Sequence, residues 1–439
     1  NSRTRNIALI SSMFFVFSCI PFFLKHHQAI GYSPYNYLIA QLILFLMLVL
    51  IKRPDRNTFL LSPSFIAVSY ININFFVGSI VFMNGMVFDM WYLPYLNWKH
   101  VNLSMAYFNL ANFFIVISFF IARRLKLDRK KLLYDVKRVG NIWLIAVGII
   151  FIVVFSYVEL DLAWLGGQGS FSILPKSIGA IIIFVVFSRN FKLLYRILCY
   201  VGVILLFAIA GYEDKRDAIF LLLPILLLES TRYSFSVNFK RALLFISSIV
   251  FLSYLIIVMS ILRGYGSYNP KGFLDATNYV DDYVRSTDFI PSYMNNLEIS
   301  FTYFHSNNAV EYIIDDPGKL SYGQTIIKPL FILFPRRIFP QKPESIIELY
   351  TSSFSKEMRK MGVSWVISLQ SEMFWNFHFF GALIGAAFFL FFNSVYLGIV
   401  YLIKEDEIIN YIPLLYIYQQ ALVLYRGSGL DQYVIDIVL

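Results

Sequence analysis

An all-α, polytopic membrane fold is what this sequence predicts, and three observations carry the prediction. The 439 residues are 58% hydrophobic and only 15% charged. The apolar residues fall into runs of about 17 to 25, long enough as helices to cross ~30 Å of hydrocarbon. The runs are continuous rather than alternating, which excludes barrel strands, and inside lipid every backbone amide needs an internal partner, which only the helix supplies.

The first run, Ile7 to Leu24, follows Arg3 and Arg5 without a small-residue cleavage site and reads as a retained span, not a removed leader. Further spans are expected near Tyr35 to Ile51, Leu60 to Met83, Met105 to Ala122, Ile142 to Val158, Ser172 to Ser188 and Leu193 to Gly211. A short run, Ala218 to Leu228, follows, then Ala242 to Leu262, Ser364 to Ile403 and Ile408 to Tyr425, which brings the total to eleven. The tail after Arg426 begins a possible returning twelfth. Cys19 and Cys199 both sit inside apolar runs and the five histidines lack metal-like spacing, so neither disulfides nor structural zinc are expected.

The net charge of +10 could suggest a nucleic-acid partner, but its distribution serves topology instead. With the N-terminus in the cytoplasm, the loops KRPDR, RRLKLDRKKLLYDVKR, RNFKLLYR and STRYSFSVNFKR all fall inside, and the intervening outer loops hold few positive charges. The chain then divides into residues 1–211 with seven spans, 212–263 with two spans and outer arginines, 264–363 as a large outer loop, and 364–439 as the C-terminal spans. Lys271, Lys319 and Lys342 are expected to be accessible from outside.

Arginine on the outer side is not demanded by topology, yet Arg216, Arg263, Arg336, Arg337 and Arg426 all lie at or near outer ends of apolar runs. Singly, Arg263 and Arg426 could be snorkelling anchors beside helix-ending glycines, and Arg216 could pair with Glu213, Asp214 or Asp217. Together they make a layer of guanidiniums, whose planar fork matches the adjacent phosphates of a lipid pyrophosphate. The run after Arg216 has only about eleven apolar residues, ~17 Å at 1.5 Å each, which would draw Arg216 below the outer interface.

In the outer loop, IIKPLFILF is too short to span and reads as re-entrant, with the prolines of FPRRIFPQKP stiffening the backbone that presents Arg336 and Arg337. Asp281-Asp282 reads as a solvated helix face and Asp315-Asp316 before Gly318 as a turn, so no metal site is expected. Tyr265 and Tyr268 suit sugar stacking or an interfacial aromatic belt. His305 and His378 are alternative bases, although a lone histidine is more often structural.

Beyond the loop, Ser368, Glu372 and Asn376 fall at i, i+4 and i+8 on one stripe of a continuous helix, with Gly381 ~180° round from Glu372. Gly381 and Gly385 would then form a small-residue face for packing against another span. Glu372 is the candidate general base, its plainer alternative being an ion pair with an arginine.

These residues carry a family resemblance. The outer Lys215-Arg216, the outer Arg263-Gly264, a large loop ending in FPRRIFPQKP, then GVSWVISLQSEMFWNFHFFGALIG and a last outer Arg426 together resemble the oligosaccharide repeat-unit polymerases, the Wzy or O-antigen polymerase family, over Gly211 to Gly429. One departure is that Asn376-Phe377 is commonly followed at once by Gly in such proteins, whereas here His378, Phe379 and Phe380 intervene. The resemblance implies a fold similar to metal-independent GT-C type glycosyltransferases, in a bacterial inner membrane with the active site facing the periplasm. It also implies glycosyl transfer between undecaprenyl-pyrophosphate-linked donor and acceptor oligosaccharides, with no cofactor, and a chain-length regulator protein as partner. Arg216, Arg263, Arg336, Arg337 and Arg426 would bind the pyrophosphate, Arg216 and Arg263 stabilising its developing charge. Glu372 would take the acceptor's proton, while Tyr265, Tyr268, Asn376, His305 and His378 would contact glycan. An O-antigen ligase, which would favour a decisive outer-loop histidine, and a transporter, which would favour polar or broken helices at the bilayer midplane, are the alternatives.

Overall fold

The computed structural model describes residues 2–51, 53–85, 98–125, 141–157, 173–190, 193–209, 250, 253–254, 256–262, 268–287, 289–290, 293, 299–331, 339–363, 365, 367–403, 427 and 429–430. Among the described residues every regular element is helical. Four helical stretches among the described residues are long and apolar enough to cross a membrane: His26–Leu50, Pro63–Met83, Val101–Arg124 and Leu369–Gly398, the last interrupted at His378. The chain is accordingly a helical, multi-pass membrane protein.

Helix α1, Ser2–Cys19, ends where Pro21 enters a short 3-10 turn. Helices α2 (His26–Leu50), α4 (Pro63–Met83) and α5 (Val101–Arg124) follow the expected spans to within a few residues at most ends, although α2 begins nine residues earlier than Tyr35. Between α2 and α4 lies a short amphipathic α3, Arg53–Leu60. There the Arg56 guanidinium donates to the carbonyls of Leu48 and Val49, satisfying groups that the end of α2 would leave bare. Helices α6 (Asn141–Tyr157), α7 (Ile173–Asn190) and α8 (Leu193–Ile209) occupy the next three apolar runs, and two short helices, α9 (Phe273–Asn278) and α10 (Val280–Arg285), come later. The expected spans at Ala218 to Leu228 and Ile408 to Tyr425 lie outside the described residues, as does much of Ala242 to Leu262.

The run from Ser364 to Ile403 is not one span. Helix α15, Leu369–Phe377, stops at His378, whose φ of 53° cannot continue a right-handed helix, and after a 3-10 turn α16 runs from Gly381 to Ile403. The chain folds back here so tightly that a side chain at Gly381 would overlap the carbonyl of Met373. The small-residue face therefore serves a helical hairpin and not a separate span. Helix α16 alone, at 23 residues, is long enough to cross. It runs parallel to α5, with Phe379 beside Tyr107 and Asn393 bonded to Ser118.

Helix α11, Ile299–Asp315, is not a surface helix. Its Tyr303 donates or accepts at Ser33 of α2, stacks edge-on to Phe75 and Tyr37, and lies so close to Gly78 that no side chain fits there. Gly78 is five residues from the end of α4, so at 1.5 Å per residue Tyr303 sits about 8 Å inside that end of the bundle. Further along, Asn307 accepts from Ser104, and Glu311 accepts from the backbone of His100 at the mouth of α5. The segment IIKPLFILF, expected to be re-entrant, begins in a four-residue α12, Gln324–Ile327, and a 3-10 turn at Lys328–Phe331, and its Ile332 to Phe334 lie outside the described residues.

Polar residues also run through the interior of the spans. Asn36 and Asn109 exchange reciprocal amide bonds, Asn112 donates to Asn72, Asn72 to Gln41, and Gln41 to Ser69. Asn393 donates to both Ser64 and Ser118. Such bonds hold apolar helices together where lipid removes the hydrophobic driving force. Around them pack the aromatic and aliphatic residues of two clusters, one including Phe14, Leu44, Phe59 and Phe119, the other Phe75, Phe108, Phe304 and Phe374.

Candidate functional site

Helix α15 starts at a serine. Ser368 accepts the Ser371 N–H as its N-cap, and its own backbone N–H donates to Ser306 of α11, while the Ser371 hydroxyl donates to the Ser306 carbonyl. Tyr312 of α11 stacks on Trp375 one and a half turns later, so the two helices run side by side in the same direction. This fixes the first turn of α15, where the helix dipole favours an anion, and Glu372 occupies that turn.

Glu372 is 1% exposed. Its Oε1 accepts from the Thr325 hydroxyl of α12 at 2.8 Å and its Oε2 from the Leu430 N–H at 2.9 Å. Asn376, one turn on, donates through Nδ2 to Thr325 Oγ1 and to the Glu372 carbonyl, both at 2.8 Å. Its Oδ1 accepts the Gly323 N–H at 2.9 Å. Gly323 has a φ of 86°, in the left-handed region, and closes the turn that feeds α12. Gly427, with a φ of 97°, lies so close to the Ile367 carbonyl that any side chain would overlap it. Three stretches distant in sequence thus meet at one carboxylate: Gly323 to Thr325, Ser368 to Asn376, and Gly427 to Leu430.

Of the residues singled out from sequence, Arg216, Arg263, Arg336, Arg337, Arg426 and Tyr265 lie outside the described residues. Glu372 and Asn376 share the expected stripe and the same partner; Ser368 caps the helix instead. Asn376 is buried with both amide hydrogens and its oxygen already hydrogen-bonded within the protein. His305 is 3% exposed, stacked on Trp365 and bonded through Nδ1 to the Tyr350 hydroxyl, and burial pushes its imidazole down to about 3, so it stays neutral. His378 forms the hairpin turn and packs its ring on Phe374. Tyr268 belongs to another cluster, with Tyr279 and Tyr283 over Val258 and Ile261. Asp281 pairs with Arg285 on an exposed face and Asp316 caps the turn at Gly318, both as expected.

Several residues of the site were not singled out. Thr325 and Gly323 are about fifty residues from Glu372 and carry no local signal. Glu348 binds Arg359 at 2.6 Å and approaches Lys328 at 4.0 Å, and so ties helix α13, Ile346–Phe354, to α14, Lys356–Lys360, and to the turn after α12. Burial alone would raise the Glu348 carboxyl, but Lys328, the Ser345 N–H and Arg359 together outweigh it and hold the group below its ordinary value. Lys342, expected to be accessible, is buried; Lys271 and Lys319 are exposed. Comparison with protein-family models, curated proteins and solved structures finds no match to this chain.

Proposed function

We propose that the chain is a lipid-linked oligosaccharide polymerase of the bacterial inner membrane, joining repeat units carried on undecaprenyl pyrophosphate at the periplasmic face into a surface polysaccharide. The observation that carries the reading is the convergence on Glu372. The segment that binds its Oε2 follows Arg426 directly in sequence, and the segment that binds its Oε1 leads into FPRRIFPQKP. In the reaction, a hydroxyl oxygen of the acceptor unit attacks the donor's anomeric carbon, and the bond from that carbon to the pyrophosphate breaks with its electron pair leaving on phosphate. The hydroxyl proton passes to the Glu372 carboxylate. Arginine guanidiniums, Arg216 and Arg263 foremost, stabilise the departing pyrophosphate without a metal. A chain-length regulator would act as a protein partner in the same membrane.

The test is to incubate the purified protein with a lipid-linked repeat unit and resolve the products on a gel. A ladder of lengths is expected. Arg263→Lys, which keeps charge but loses the fork, should shorten or abolish it, and Glu372→Gln should slow it by about 10²-fold or more while donor binding persists. No ladder from any lipid-pyrophosphate oligosaccharide, or wild-type ladders from both variants, would remove the reading.

A further inference from the structure

The stretch of residues 322–330 is built inside out. Its Thr325 and Lys328 are 1% and 6% exposed and turn inward to Glu372 and Glu348, whereas Tyr322, Ile327 and Leu330 are 73%, 47% and 75% exposed. Gln324 is exposed as well. A single outward leucine on a water-facing surface needs no explanation. Three large apolar side chains turned outward within nine residues, with the lysine turned in, describe an element whose surroundings are themselves apolar. The apolar surface continues on the hairpin against which the stretch packs. Ser321 donates to the Trp375 carbonyl and Gly323 lies against the Phe377 ring, and past the hairpin turn Phe380 and Leu383 are exposed too.

Two sets of contacts give the depth of this stretch along the spans. Glu311 meets the His100 N–H just before α5, and Ser306, five residues further back on α11, holds the start of α15, about 8 Å deeper at 1.5 Å per residue. Tyr107, six residues into α5, donates to the Gln370 carbonyl, which gives about 9 Å. The apolar run of α5 begins at Met105, so the first turn of α15, and Thr325 bonded to its Glu372, lie where the hydrocarbon begins. From polarity and depth together we infer that residues 322–330 are seated in the membrane surface, with Ile327 and Leu330 against the acyl chains of bilayer lipid just below the headgroups. An exposed tyrosine and glutamine suit the same boundary. Thr325 faces in and Ile327 and Leu330 face out, so about one helix width, ~10 Å, separates the Glu372 carboxyl from lipid. A lipid-borne substrate then approaches Glu372 from the side; that use rests on the function proposed above, and the seating does not.

The experiment is fluorescence quenching of the purified full-length protein in phosphatidylcholine nanodiscs, without substrate. Cys19 and Cys199 are first replaced by alanine, and a thiol-reactive bimane is placed at Ile327→Cys or Leu330→Cys, with Lys319→Cys as the water-facing reference and Phe391→Cys, exposed ten residues into α16, as the lipid-facing one. Each label is read in plain lipid, in lipid brominated on its acyl chains, and with iodide in the water. The labels at 327 and 330 should lose intensity in brominated lipid, as at 391, and resist iodide. The label at 319 should do the reverse. All four side chains are exposed, so folding should survive, and if one of the two test variants elutes aggregated the other decides. Iodide quenching without bromine quenching at either test position would put the stretch in water and overturn the inference. Weak quenching by both reagents would overturn it equally, since the surface would then be covered by protein. No turnover is measured, so a failure here would leave the ladder assay standing, and a chain that makes no polymer could still pass.

Discussion

Glu311 offers a prediction whose size follows from the structure. Its side chain is 1% exposed, with Oε1 accepting the His100 N–H at 3.0 Å and Oε2 buried. Burial is the main reason its carboxyl rises from 4.5 to about 8; Asp315 pushes the same way, while the His100 N–H and Lys99 oppose. The group is therefore protonated when folded at neutral pH but ionised when unfolded. The sign follows: below about pH 4.5 both states hold the proton, and as pH rises toward 8 the unfolded state sheds it first, so stability falls across that window and levels off above it. At about 1.4 kcal/mol per pH unit the full span is worth about 5 kcal/mol, of which about 3 kcal/mol falls between pH 5.5 and 8.5. With an unfolding entropy of about 2 cal/mol/K per residue, that is a loss of roughly 3–4 °C in Tm for a chain of this length. The His100–Asp315 contact at 3.2 Å is present in both proteins compared, so the readout is the difference between wild type and Glu311→Gln. Thermal unfolding at one scan rate from pH 5.5 to 8.5 should show the wild type losing those few degrees relative to a flatter Gln variant. Parallel curves would mean that Glu311 keeps one charge state throughout, and the reasoning fails.

Two further outcomes are expected. Gly381→Val should prevent the hairpin from closing, because its side chain would occupy the space of the Met373 carbonyl, and should be seen as loss of folded protein in size-exclusion chromatography, whereas Gly398→Ala, whose added methyl would meet no described atom within 4 Å, should elute as wild type. A cysteine replacing Lys319 should react with an impermeant thiol reagent applied from outside, and one replacing buried Lys342 should react far more slowly in the folded protein; labelling of Lys319→Cys only from the cytoplasmic side would invert the topology.

The spans were legible because uninterrupted apolar runs have one physical use. Hydropathy alone could not separate α15 from α16, since Phe377, Phe379 and Phe380 keep the run apolar through the very turn that breaks it; His378 was the only visible interruption. Helix α11 was illegible for the opposite reason. Its FTYFHSNNAVEY holds no uninterrupted apolar run, and its polar side chains are spent on Ser33, Ser104 and the cap of α15, partners that only the fold supplies. At the candidate site, the spacing of Glu372 and Asn376 put both on one face, but nothing within the sequence window of either could reveal Thr325 or the Gly323 N–H. Hydrogen-bond partners about fifty residues apart leave no periodicity to read.

The interior asparagines bear on how the protein is made. A span carrying Asn36, Asn72 or Asn109 into lipid alone would strand an amide in hydrocarbon, so α2, α4 and α5 gain by leaving the insertion machinery as a group. They are consecutive spans, and the amides of Asn36, Asn109, Asn112, Asn72 and Gln41 bond to one another with no help from later sequence. Ser64 and Ser118 can wait as well, because each already donates to the Ile115 carbonyl. Asn393, synthesised some 270 residues later, needs both serines as acceptors. The N-terminal trio is thus built as a finished receptacle, and the last described helix is the piece that depends on finding it.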